Sequence, residues 1–329
     1  MARDLQRMSK ALRQYLANGS SITRIVPLST GHSNETYLLE GIGRILRMPP
    51  SAEGLLPPYD MARQHAILQG VHRAGSGPPV PQVFELETDP SVLGDAFFLM
   101  EHLDGEAFEY HVPDWLAEAT PQTRSRMTQQ WVTAMSSLHQ LPVGAMPPGS
   151  RSLADEIAHW QQVARQAEAE PALHALLEDI ARTPPRTSGE VTPLHGDPKQ
   201  GNCLWSRREH GTLLALLDWE MAGVGEPLTD LGYLLQWYDQ GEAALASAGL
   251  DLPGWWGRER MIEQWQRITG RTAVDVRRYE TLGMCKIAAI IALGYHLQRT
   301  GRAQDPRFEA WGAVVPKYVA LAQRRSEMN

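Results

Sequence analysis

The sequence predicts an α+β protein of two lobes, a small β-rich one followed by a larger, mainly helical one. Three observations carry this. The first third of the 329 residues alternates short apolar runs with turn residues. Beyond residue 102 the apolar side chains mostly recur at helical spacing. Inside that helical stretch one pair of strand-like segments stands alone, Asn202–Trp205 and Leu213–Leu217. The length favours two units at roughly 100–200 residues per domain, and the change of character places their boundary between residues 1–102 and 103–329.

The elements follow in order. Leu5, Met8, Leu12 and Leu16 recur at spacings of three and four, so Asp4–Leu16 reads as an amphipathic helix closed by Asn18-Gly19. Ile22–Leu28, Glu35–Leu39 and Arg44–Met48 read as a meander of antiparallel strands, separated by turn residues. Tyr59–Val71 returns to helical spacing, and strands follow at Val80–Glu87 and Ala96–His102. The small lobe is therefore five strands with a helix between the third and fourth. In the large lobe, helices are expected at Thr123–Leu141, Leu153–Ala167, Ala172–Ala181, Leu228–Tyr238, Trp255–Ile268, Asp275–Gln298 and Pro306–Ala322.

Composition excludes several functions. Thirty-one Lys and Arg stand against 38 Asp and Glu, a formal charge of −7. No basic face for neutralising many phosphates is visible, which argues against nucleic acid as a partner. Cys203 and Cys285 are the only cysteines, too few for a disulfide scaffold and not placed for a zinc finger. The N-terminus is charged, and the most apolar stretch, Ile287–Leu293, is too short to span a bilayer. A cytoplasmic protein with no membrane partner is expected.

The chemistry concentrates in His195-Gly196-Asp197-Pro198-Lys199-Gln200-Gly201-Asn202 and in Asp218-Trp219-Glu220, which follows the apolar run Leu213–Leu217. Phosphoryl transfer from a nucleotide needs a carboxylate to orient or deprotonate the accepting hydroxyl. It also needs oxygen ligands for Mg²⁺ and cations to offset developing charge. Asp197 and Asn202 lie five apart around Gly201, so one tight loop presents a base and an amide oxygen together. Asp218, ending a buried strand, supplies a second oxygen ligand, and Mg²⁺ accepts such a share while keeping waters.

With these residues in place, the sequence resembles the aminoglycoside phosphotransferase family of small-molecule kinases, which share the protein-kinase fold. Within it the sequence is most similar to the branch containing the kinase-like domain fused to some acyl-CoA dehydrogenases. The resemblance rests on Gly31–Leu38, Ile45–Pro50, Val80–Val83, Phe97–Glu101 and the Asp197 and Asp218 blocks. It implies a small-molecule kinase that uses ATP or GTP with Mg²⁺ and a small hydroxyl-bearing acceptor. Asp197 would be the base, with Lys199 near the transferred phosphate; Asn202 and Asp218 would bind the metal. Ser29, Thr30, Gly31, His32, Ser33 and Asn34 would cover the phosphates and Arg47 would contact them. Met100, Glu101, His102 and Leu103 would form the hinge along the adenine. Asp230 would anchor the catalytic loop.

The family's usual Glu opposite the third-strand cation is replaced, on our alignment, by Gln64, which can hydrogen-bond Arg47 but brings no charge. Trp219 follows the second metal ligand, as is usual in the family. Glu220, Tyr233, Trp237 and Lys286 are acceptor-site candidates, with snorkelling to water the plainer reading of Lys286. Plain packing is the corresponding reading of the aromatics. Two other functions use the same residues. One is a nucleotide-binding pseudokinase with a scaffolding role, favoured by Gln64. The other is a metal-dependent hydrolase with His195, Asp197 and Asp218 as ligands.

Overall fold

The computed structural model describes residues 3–28, 34–52, 54–109, 111–236, 249–303 and 305–328. The chain begins with α1 (Leu5–Tyr15), whose N-cap Asp4 accepts from the amides of Gln6 and Arg7 at 3.0 Å each. Next come β1 (Arg24–Pro27), β2 (Glu35–Glu40), β3 (Arg44–Met48), α2 (Met61–Ala74), β4 (Val83–Glu87) and β5 (Phe97–Glu101). The five strands form one antiparallel sheet in the order β1-β2-β3-β5-β4. Helix α2 fills the link between β3 and β4, as the spacing predicts.

Strand alternation sorts the side chains of this sheet to two cores. Leu46 and Met48 of β3 join Phe97 and Leu99 of β5 in a cluster with Met8 and Leu12 of α1. Ile45, Phe98 and Met100 instead join Ile67 and Leu68 of α2 in a cluster continuous with the rest of the protein. The sheet is thus covered on both faces, and α2 is the element through which it meets the larger lobe.

Beyond β5 the chain forms β6 (Gly105–Glu106), α3 (Asp114–Glu118), α4 (Pro121–Leu138), α5 (Leu153–Gln166), α6 (Pro171–Arg182) and β7 (Thr192–Leu194). The predicted hairpin is present as β8 (Cys203–Ser206) and β9 (Leu213–Leu216), with β6 added to its free edge. A second small ladder pairs β7 with β10 (Gly223–Gly225). Sequence patterning missed β6, β7 and β10, because segments of two or three residues have no period to read.

The remaining helices are α7 (Leu228–Leu235), α8 (Arg258–Thr269), α9 (Val276–Arg299), α10 (Pro306–Trp311) and α11 (Val315–Glu327). The single helix expected over Pro306–Ala322 is two helices. Pro316 has no amide to donate and falls in the first turn of α11, so a helix starts there rather than passing through. Helix α9 packs against α5, α6, α7, α10 and α11. Cys203 and Cys285 are buried free thiols. Among the described residues no helix is long and apolar enough to cross a membrane.

One buried ionic cluster ties three of these helices. Glu280 of α9, fully buried, meets Arg258 of α8 at 2.5 Å and Arg325 of α11 at 2.8 Å. Glu280→Ala would leave both guanidinium groups buried without their carboxylate. We expect it to destabilise the protein by about 3–5 kcal/mol, read as a lower urea midpoint with an unchanged slope.

Candidate active site

Strand β7 delivers the chain to His195, where the loop turns sharply. Gly196 has φ +83°, and a Cβ there would run into the backbone carbonyl of Met221, so only glycine fits. Asp230 of α7 holds this turn from below. Its Oδ2 accepts from the His195 amide at 2.7 Å and its Oδ1 from the Gly196 amide at 2.9 Å. Burial alone would raise the Asp230 pKa. The His139 side chain, 3.3 Å away, and the loop amides outweigh it and hold the carboxyl below its ordinary range.

His195 is fully buried, and burial lowers its pKa, so it is neutral at pH 7. Its Nδ1 accepts from the Asp197 amide at 3.2 Å, which assigns the ring proton to Nε2. Nε2 then donates to the Leu217 carbonyl at 2.9 Å, and the ring packs on Trp219 at 4.6 Å. The histidine therefore clamps the end of β9 to the loop after β7. Both nitrogens are spent, which removes His195 as a metal ligand and with it the hydrolase reading. Among the described residues no three His, Cys, Asp or Glu side chains are placed to hold a metal.

The two motif segments meet through this clamp. Asn202 donates its side-chain amide to Asp197 twice, to the backbone carbonyl at 2.8 Å and to Oδ2 at 2.9 Å. Asp197 Oδ1 is buried and accepts no close hydrogen bond from the described residues, with the Tyr233 phenol facing the carboxylate. Lys199 lies 3.7 Å from Asp197 Oδ2 and pairs at 2.8 Å with Glu109, a partner no motif announced. From α4, the Trp131 indole donates to the Pro198 carbonyl at 2.9 Å and holds the far side of the loop.

Asp218 begins the turn after β9 in the left-handed region, φ +65°. Burial pushes its pKa up, but the charge and hydrogen bond of Arg47, with the charge of Lys199, bring it below the ordinary value. Arg47 Nη2 contacts Asp218 Oδ1 at 2.6 Å, and Arg47 Nε donates to Gln64 Oε1 at 3.0 Å. Gln64 thus reaches the third-strand cation, while its missing charge is replaced by Asp218. Glu220 lies 3.8 Å from Arg47 and accepts from Asn34 at 2.5 Å. This polar chain, Asn34–Glu220–Arg47–Asp218, spans from the five-stranded sheet to the large lobe.

Other expected residues lie farther out. Met100 and Glu101 pair with Ile45 and Arg44, so the expected hinge starts two residues past Phe98, the partner of Arg47. Met100 is buried and His102 exposed. Ser29, Thr30, Gly31, His32, Ser33 and Trp237 lie outside the described residues. Tyr233 is buried, and burial together with the facing Asp197 carboxylate pushes its phenol pKa up. Lys286 does not snorkel to solvent: it is 7% exposed and donates to the Gly196 carbonyl. The apolar surroundings that suggested an outward path instead form an aromatic box of Trp160 and Tyr233. Tyr233 and Lys286 line one end of a cavity of about 600 Å³ that runs past Gly196 and Glu220 to Arg63 on α2.

A five-stranded sheet over a helical lobe, with a carboxylate loop and a second carboxylate turn clamped together beneath it, is the architecture of a protein-kinase-like phosphotransferase. The model of the phosphotransferase enzyme family matches residues 24–263, and the chain belongs to that family. Its fold is shared by a Ralstonia eutropha protein provisionally named an aminoglycoside phosphotransferase. That structure aligns with a TM-score of 0.79 at 21% identity, covering 99% of each chain. The GDP and kanamycin complex of APH(2")-IIIa aligns at 0.62 and 16% identity, over 97% of this chain and 98% of that one. In sequence the chain is 28% identical over 222 residues to acyl-CoA dehydrogenase family member 11 of Gallus gallus, covering 64% of this chain. It is 27% identical over 338 residues to family member 10 of Mus musculus, covering 95% of this chain. It spans only 27% and 30% of the length of those two relatives.

Proposed function

We propose that this chain transfers the γ-phosphoryl group of ATP, or of GTP, to a hydroxyl group of a small molecule. One observation carries the reading. Asp197 is pinned through Oδ2 by Asn202, while Oδ1 is buried with no close hydrogen bond among the described residues, the Tyr233 phenol facing the carboxylate. A buried acceptor of that kind is costly unless a donor arrives, and the hydroxyl of a bound acceptor is such a donor. Asp197 then orients the hydroxyl and takes its proton as the oxygen attacks phosphorus.

The donor set near Asp197 fits Mg²⁺. Asn202 turns its amide N–H groups onto Asp197, so its carbonyl oxygen points elsewhere, and Asp218 is a half-buried carboxylate whose pKa is held below its ordinary value by Arg47 and Lys199. An amide oxygen and a carboxylate oxygen are hard donors of the type Mg²⁺ takes. Asn202 and Asp218 would hold the ion, which when bound offsets phosphate charge. Arg47 would exchange Asp218 for a phosphate oxygen, and Lys199 would face the transferred group. Asn34 and the preceding five residues would lie over the phosphates, with Gln64 steadying Arg47. Met100, Glu101, His102 and Leu103 would flank the nucleotide base. Tyr233, Lys286 and Glu220 would bound the acceptor.

A library of hydroxylated metabolites incubated with MgATP, and read by mass for the gain of one phosphate, tests the proposal. A phosphorylated product that requires the protein and ATP is expected. Calorimetric binding of MgATP with no product across the library would instead support the pseudokinase reading, for which the uncharged Gln64 is the favouring feature.

A further inference from the structure

We propose that Lys286, on α9, is a positioning residue that sets the orientation of the peptide leading into Asp197. The inference rests on the phosphotransfer reading for its catalytic consequence, but its structural part stands on contacts alone.

Gly196 creates a local difficulty. Glycine is required because a Cβ would collide with Met221, yet glycine lets the following peptide plane rotate at little steric cost. That plane carries two polar groups, the Gly196 carbonyl and the Asp197 amide. Each is held. The amide donates to His195 Nδ1 at 3.2 Å, and the carbonyl accepts from Lys286 Nζ. A flip of this peptide would break both bonds and remove the two restraints on the backbone that carries Asp197. The Gly196 amide is held separately by Asp230, so Lys286 is the group that restrains the carbonyl end.

The setting of Lys286 is built for one task. Its ammonium lies 5.1 Å from the Trp160 ring centre and 4.9 Å from that of Tyr233. Aromatic faces attract a cation without drawing it off its hydrogen bond. Glu156 is close enough for the Lys286 charge to act on it. Its oxygens, however, are taken by Arg151 at 2.8 Å and the Trp160 indole at 2.6 Å. Among the described residues Lys286 makes no ion pair, so no carboxylate pulls the ammonium away from the loop. The close crossing of α7 and α9 brings it there: at Gly283 a Cβ would stand 3.0 Å from the Tyr233 Cα. Sequence position alone, 90 residues from Gly196, gives no hint of this contact.

The test uses the full chain and MgATP, with water as the phosphoryl acceptor, so that no acceptor need be known. Lys286→Met keeps length and packing but removes the donor. We expect its rate of phosphate release to fall about 100-fold, the scale of a small misplacement of a reacting group. ATP affinity by calorimetry should not change. Hydrogen exchange at the Asp197 amide should quicken, while that at the Gly196 amide, held by Asp230, should not. Lys286→Ala should recover rate with added ethylammonium but not with tetramethylammonium, which has the charge and no N–H. A Lys286→Met protein with wild-type release and wild-type exchange overturns the proposal, as does equal rescue by both amines. If Lys286→Met does not fold, the Lys286→Ala rescue pair decides. If the wild-type protein releases no phosphate to water, the exchange measurement decides whether Lys286 holds the loop, and the metabolite screen separately decides the phosphotransfer reading.

Discussion

Asp197→Asn is expected to bind MgATP as the wild type does and to transfer phosphate about 10²–10⁴-fold more slowly, the usual share of a general base. The substitution is nearly isosteric, so the loop keeps its shape. Asn202 offers N–H groups to position 197, at 2.8 Å and 2.9 Å. An asparagine there must answer with its carbonyl oxygen, which leaves its own N–H₂ at the place of Oδ1. That group can donate to a hydroxyl oxygen but cannot take its proton. The buried acceptor that defines the site thus becomes a donor, with the nucleotide contacts untouched. The pair of measurements is calorimetric ATP affinity and turnover with an acceptor found in the metabolite screen. Undiminished turnover would remove Asp197 from the role of base.

An effect on folding as large as that at Glu280 is expected at Asp230, which is 1% exposed. Its carboxylate satisfies the His195 and Gly196 amides and faces His139. His139 is itself oriented: its Nδ1 accepts from the Trp265 indole at 2.9 Å, which places the ring proton on Nε2, toward Asp230. Asp230→Ala would strand two backbone donors and one imidazole donor in a site closed to water. At about 1–3 kcal/mol for each unsatisfied group, the loss is on the order of 3–5 kcal/mol once relaxation is allowed. Urea unfolding should show it as a lower midpoint. The pH dependence has a definite sign. The folded-state pKa of Asp230 is depressed, so its contribution is complete above the ordinary carboxylate pKa. It is lost only as pH falls below that value through the folded one. In the Ala variant this acid-side loss should be smaller, which acid titration of stability would register.

Much of the candidate site was legible before any coordinates. Asp197 and Asn202 are five apart on one loop, and the short link at Gly201 leaves them little choice but to meet, as their two hydrogen bonds show. The family resemblance put Gln64 opposite Arg47, and the Gln64 side chain does accept a hydrogen bond from Arg47 Nε, from the first turn of α2. Lys286 was not legible. An apolar helix face around a lysine is equally consistent with an outward, snorkelling path and an inward one, and the choice depends on what α9 packs against. Glu109 beside Lys199 and Glu220 beside Asn34 were hidden for the same reason: each pair joins segments far apart in the chain.

The sequence by itself determined the small sheet with its inserted helix, most helices of the large lobe, and the loop that brings Asp197 to Asn202. All of these arise from interactions within a few residues, or from a hydrophobic period that repeats often enough to be read. The tertiary structure alone decided that Asp218 compensates Arg47, that His195 binds β9 to the loop with both nitrogens, and that α7 and α9 cross closely enough to bring Lys286 onto Gly196. Those outcomes depend on contacts between residues 22 to 171 positions apart, whose energies are realised only once the packing of whole helices has set the distances.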